Sequence, residues 1–185
     1  MKTLAAFFAL SALLASTCSA EIQWTLHPSV QGIDGMTAPY VTSMLGGDEI
    51  RYVPPVAWTL SGDRFIPSGK VEADAYFDTA QIQAPAPWTP DRAKALHSAV
   101  LSRMIPSGAT DPAILSEGPL PVRVAGQSGY EICFSYFAYG RQFAESLVVA
   151  EHGDTQFQIH FGCLKGDFTD LHAAFVASLF TLRGS

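Results

Sequence analysis

The chain has 185 residues, 11 basic against 17 acidic, for a net charge of −6 with His neutral. An acidic chain without a basic cluster lacks the Lys and Arg that nucleic-acid phosphates or anionic lipid surfaces require. The length suits one domain with a full core.

At the N-terminus, Lys2 is followed by an apolar run from Leu4 to Ala15, broken only by Ser11. Ser16-Thr17-Cys18-Ser19-Ala20 follows. This charged, apolar, small-residue order predicts a secretory signal over residues 1–20, cleaved after Ala20. The apolar core is too short for a membrane anchor. Cys18 permits a second reading as a lipid-attachment cysteine, although Ala15 and Thr17 stand where such signals usually carry Leu and a smaller residue. Export makes disulfides chemically accessible. The sequence contains no Asn and therefore no N-glycosylation acceptor.

Residues 21–49 are rich in Gly and Pro with little periodicity, and predict an irregular arm before a single domain over 50–185. A first strand is expected near Ile50–Val53, stopped by Pro54-Pro55. Trp58-Thr59-Leu60 opens another, with Ser61-Gly62-Asp63 as a turn. From Val71 to Ile82 the chain alternates: Val71, Ala73, Ala75 and Phe77 against Glu72, Asp74, Tyr76 and Asp78, as in a half-buried strand. A loop over Pro85–Trp88 precedes Thr89-Pro90-Asp91, which has the order of N-cap, first-turn proline and first-turn acid. The helix it opens places Ala93, Leu96, His97, Val100, Leu101 and Met104 on one face and ends at Pro106 and Gly108.

After a Pro/Gly-rich connection, strands are expected over Pro121–Ala125 or Tyr130–Tyr139, then Gln142–Glu151 and Thr155–Cys163, joined as a meander by turns at Gly126–Gly129, Gly140-Arg141 and His152-Gly153-Asp154. Asp167 is expected to cap a last helix bearing Phe168, Leu171, Phe175, Leu179 and Leu182 at helical spacing. The order predicts an α+β fold, an antiparallel sheet with helices packed on it. A middle strand between Cys133 and Cys163 would hold them beyond bridging distance, which predicts two free, buried thiols.

Catalytic patterns are sparse. Gly126-Gln127-Ser128-Gly129 lacks the spacing and the strand-to-helix context of a serine elbow, and reads as a hairpin turn. His160 and Cys163, three apart on a strand, point to opposite faces. His27, His97, His152, His160 and His172 show no i, i+4 pair, and no C-x-x-C is present, so local spacing marks no metal site and no cofactor. Glu72, Asp74 and Asp78 share a strand face, neighbours about 7 Å apart, and read as its wet side. Trp88, in a Pro-rich loop, is the candidate partner-binding residue; its alternative is an anchor folded onto the core.

Several segments together resemble the PsbP-like family over roughly residues 50–182. They are Tyr52-Val53-Pro54-Pro55-Val56-Ala57-Trp58, Ile105-Pro106-Ser107-Gly108, Val124-Ala125-Gly126, Asp167-Phe168, and Phe175 with Ser178-Leu179-Phe180. The resemblance implies a sheet sandwiched between helices (α/β/α) and no catalytic residues, since such proteins bind or stabilise larger assemblies. The expectation is a non-catalytic exported module, periplasmic or secreted, that binds or assists an envelope partner and has no transmembrane span after cleavage. The rival readings are an enzyme with a dispersed site, such as His160 with Glu145, and a lipid-anchored structural protein resting on Cys18.

Overall fold

The computed structural model describes residues 20–27, 39–45 and 48–184. The expected signal and Cys18 thus lie outside the described residues, apart from Ala20.

The alternating segments form the strands their patterns predict. Strand β1 (Ala20–Glu21), β2 (Thr25–His27), β3 (Tyr40–Leu45) and β4 (Asp48–Tyr52) precede β5 (Trp58–Ser61), β6 (Arg64–Pro67) and β7 (Asp74–Gln81). In β7, Ala75, Phe77 and Thr79 are buried while Asp74, Tyr76 and Asp78 are half-exposed, the period of two read from the sequence. Helix α1 (Pro90–Ala99) starts at Thr89, whose hydroxyl accepts from the Arg92 amide at 3.2 Å. It continues through a wider π-helical stretch at Val100–Met104, where the Ser102 hydroxyl donates to the Ser98 carbonyl at 2.8 Å. Strands β8 (Thr110–Val124), β9 (Gln127–Ala138), β10 (Arg141–His152) and β11 (Thr155–Leu164) follow as a meander. Helix α2 (Phe168–Leu179) and β12 (Arg183–Gly184) close the described chain. Asp167 sits at the α2 N-cap position but does not cap it; its carboxylate accepts from Lys70 Nζ at 2.7 Å.

Among the described residues, the strands form two antiparallel sheets. The larger has the order β5-β6-β7-β11-β10-β9-β8, with β1 also paired to β7; the smaller has the order β12-β4-β3-β2. On one face of the large sheet, Phe77, Phe157, Ile159, Phe161 and Val148 pack against Phe175 and Leu179 of α2 and against Val41, Ile50 and Tyr52 of the small sheet. On the other, Tyr130, Ile132, Phe134 and Tyr136 of β9, with Leu147 and Val149 of β10, pack against Leu96 of α1 and Val100 of the π-helical stretch that follows it. The architecture is α+β, a sheet between helices, as expected.

Two expectations are corrected. The irregular arm over 21–49 contains β2, β3 and the start of β4, and the expected boundary at residue 50 falls inside β4. Val41 is fully buried in the shared core, so tertiary packing rather than a local period decides these residues. The Pro/Gly-rich connection after α1 is β8, the sheet's edge. It holds Pro112, Pro119 and Pro121, and its pairing with β9 shifts register at three places. An edge strand tolerates proline because its outward amides need no strand partner. Most of β8 is exposed, which removed the alternation that marks a strand.

The two hairpins flanking β9 turn on Ala125-Gly126 and Tyr139-Gly140, all four residues with positive φ. That is the twist that suits a two-residue connection. Tyr52 and Ser178, drawn from two of the PsbP-like segments, meet in the core at 2.6 Å. Ser178 donates to the Phe175 carbonyl, so the Tyr52 hydroxyl donates to Ser178.

Candidate functional site

Trp88 folds back on the core. Its ring stacks on Tyr130 with centroids 4.7 Å apart, and the Arg92 guanidinium lies over it at 4.1 Å. Glu151 holds the loop from below: one carboxylate oxygen accepts from the Ala86 amide at 2.9 Å, the other from Arg92 and from Gln156 at 2.9 Å. The side chains of Arg92 and Glu151 are only 11% and 8% exposed, so the pair is a buried structural node.

The other sequence candidates separate. Ser128 lies in β9 just after the hairpin turn, with strand on either side of that turn and no elbow. Glu72 lies in the turn before β7 rather than on the strand face and pairs with Arg141, while Asp74, on β7, pairs with Arg64. Cys133 and Cys163 are free and buried. They stand opposite Ser146 and Ala144 of β10, on strands with β10 between them. Two strand spacings amount to about 10 Å, beyond disulfide reach. Burial pushes the Cys163 thiol up to about 12, so it stays protonated and inert.

His160 and Glu145 occupy one sheet face but have different partners. Glu145 stands opposite Gly162, where any Cβ would meet its Cγ at 3.2 Å, and it accepts from the Tyr136 hydroxyl. Burial raises the Glu145 carboxyl, against the lowering effect of the Tyr136 bond. His160 stacks on Tyr76, centroids 4.4 Å apart and 3° from parallel, with Asp78 3.9 Å away. Burial, helped by Arg64, lowers the His160 imidazole to about 4, and burial raises Asp78.

These shifts set a pH response. Unfolded His160 takes up a proton as pH falls through about 6.5, whereas the folded chain keeps it neutral until far lower pH. The unfolded state therefore binds more protons, and stability is lost as pH falls toward about 4. Raised Glu145 and Asp78 act in the opposite sense, because the folded chain protonates them first. His160→Phe keeps a ring on Tyr76 and removes the proton. We expect it to abolish about 2 kcal/mol of acid-induced destabilisation, read from urea unfolding at neutral pH and near pH 5. Equal pH dependence in the parent and the variant would refute this assignment.

A cleft of about 550 Å³ opens where the small sheet meets the hairpin ends of the large one. Ile50, Phe157 and Leu182 form an apolar floor, and Arg123, Asp154 and Arg183 stand among its polar lining residues. Arg123 is oriented by its bond to the Gly126 carbonyl at 3.0 Å. Local sequence patterns gave no sign of this cleft, since its walls come from β4, β8, β11 and the segment after α2.

Among the described residues, Glu131, Cys133 and His172 bring their oxygen, sulfur and nitrogen atoms within 4.8 Å of one another. Glu131 and Cys133, two apart on β9, share the face toward α2, which supplies His172. His172 Nε2 lies 2.7 Å from Glu131 Oε1 and 3.7 Å from Cys133 Sγ, and Ser146 donates to the same Glu131 oxygen at 2.5 Å. Burial pulls the imidazole down, but its contacts with Cys133 and Glu131 prevail and push it up to about 9. Burial likewise raises the Glu131 carboxyl, and its bonds from His172 and Ser146 together hold it below its usual value. One nitrogen facing both partners is not a nucleophile–base–acid relay, which would use both ring nitrogens. The trio escaped sequence reading because its histidine lies 39 residues from the cysteine.

No protein-family profile matches the chain, and no curated protein sequence does. Solved structures are similar in fold. LpqN of Mycobacterium tuberculosis, described as involved in cell envelope biogenesis, is 13% identical with TM-score 0.52, over 88% of this chain and 91% of that one. Cyanobacterial PsbP from Synechocystis sp. PCC 6803 is 12% identical with TM-score 0.47, over 92% and 96%. A Pseudomonas aeruginosa protein of unknown function is 14% identical with TM-score 0.46, over 86% and 95%. No helix among the described residues is long and apolar enough to cross a membrane. The sheet between helices, together with the likeness to LpqN, gives this chain the PsbP-like α+β fold.

Proposed function

We propose that this chain is an exported, non-catalytic binding module of the cell envelope, and that its cleft, rather than Trp88, takes the ligand. The cleft carries the reading: its volume of about 550 Å³ falls within the range of small-molecule sites, and it joins an apolar floor to a few fixed polar groups. Arg123 and Arg183 suit an amphipathic molecule with an apolar body and an acidic end. Export rests on the charged, apolar, small-residue order of residues 1–20. Intact mass separates the rivals: a chain beginning at Glu21 fits the soluble reading, and an acylated chain beginning at Cys18 fits the lipid-anchored one.

The ligand reading is tested with anilinonaphthalene sulfonate, an apolar fluorophore with one anionic group, on the folded chain. Gly184→Trp sets a large ring on the lining of the cleft, at a position where an added Cβ meets nothing within 4 Å. Saturable binding to the parent, weakened at least about 10-fold in the variant at unchanged thermal stability, is expected. Absence of saturable binding, or equal binding to both proteins, would remove the cleft from consideration.

A further inference from the structure

We propose that Glu131, Cys133 and His172 form a binding site for a zinc-class divalent cation, with a fourth coordination position open to solvent or to a partner. Thiolate, imidazole and carboxylate are the ligand types that zinc takes, with bonds of about 2.3 Å to sulfur and about 2.0–2.2 Å to nitrogen and oxygen. A tetrahedron with those bonds separates its ligand atoms by roughly 3.3–3.6 Å. The Cys133–His172 separation of 3.7 Å already matches. The Glu131–His172 separation of 2.7 Å is a direct hydrogen bond, and must open by roughly half an ångström when a metal replaces the shared proton.

The scaffold that holds the three atoms is in place. Two ligands come from one face of β9, whose pairing to β8 and β10 fixes their spacing. The His172 ring is held by stacking on Phe168, centroids 4.7 Å apart, which leaves Nε2 aimed at the pair. Ser146 bonded to Glu131 is the kind of outer partner that orients a metal-ligating carboxylate. Cys133 is 2% exposed, whereas the His172 and Glu131 side chains are 21% and 14% exposed, so an ion enters from their side. Three protein ligands and one open position distinguish this from a closed structural site. The site is separate from the cleft, so failure of one reading leaves the other standing.

Cobalt(II) titration of the purified chain tests it, because a cobalt–thiolate bond absorbs in the near ultraviolet. One cobalt per chain is expected to give that band, and zinc(II) to displace it. Cys133→Ser should abolish the band, while Cys163→Ala should leave it intact. His172→Gln and Glu131→Gln should each weaken zinc binding at least about 10-fold, by loss of a ligand. If Cys133→Ser does not fold, alkylation of the parent replaces it: zinc must slow modification of Cys133 and leave that of Cys163 unchanged. Absence of a band, a band that survives in Cys133→Ser, or alkylation of Cys133 indifferent to zinc would overturn the site.

Discussion

Glu151→Ala is expected to destabilise the fold by about 3–5 kcal/mol, the usual penalty for leaving a buried charge without its partner. The substitution strands the Arg92 guanidinium, whose side chain is 11% exposed, and unties the Ala86 amide and the Gln156 side chain together. The loop carrying Trp88 and the first turn of α1 would loosen from β10, and with them the cover over Tyr130. Urea unfolding gives the number. A second variant isolates the cause: Arg92→Met with Glu151→Met removes both charges and keeps apolar bulk. Such a double replacement of a buried pair is often neutral, so it should be markedly more stable than Glu151→Ala. A loss below about 1 kcal/mol in Glu151→Ala would place the pair among ordinary surface bridges.

Phe77→Ala is expected to cost a similar 3–5 kcal/mol through the cavity it leaves. Phe77 lies on β7 and is 1% exposed, and its ring meets Tyr52, Trp24 and Phe65 at centroid distances of 5.0, 5.2 and 5.7 Å. Tyr52 belongs to the small sheet, Trp24 directly precedes β2, and Phe65 sits on β6, so one ring ties both sheets together. Loss beyond the transfer of one side chain should appear as altered Trp24 emission before global unfolding. Phe77→Leu, which refills most of the volume, should recover the larger part of the stability. A loss under about 1.5 kcal/mol in Phe77→Ala would mean that the surrounding rings collapse into the gap.

Both variants concern contacts that local patterns reveal only in part. Phe77 was legible as an inward residue, because β7 alternates over its whole length with one face buried. The same holds for Tyr130 through Tyr136 and for Phe157 through Phe161. The start of α1 was legible in Thr89-Pro90-Asp91, since a cap is a local arrangement. Strand β3 was not, and β4 only in its second half, because Val41 and its neighbours owe their burial to α2 and the large sheet, which no window around them contains. Glu151 looked like an ordinary residue near a strand end, since its partner Arg92 lies 59 positions away. The Glu131–Cys133–His172 trio was not legible, because only the packing of α2 onto β9 brings His172 to the two residues.

The two ends of the large sheet bear on how the chain avoids its own kind. A sheet border offers a free row of amides and carbonyls that another molecule's strand can join, the first step toward fibrils. At one end stands β5, only four residues long. At the other stands β8, fifteen residues long, but with three prolines that lack an amide and three register shifts that bend it. Neither border gives an incoming strand a long straight run of partners, so the irregularity that hid β8 from sequence reading also guards an eight-stranded sheet against self-templated aggregation.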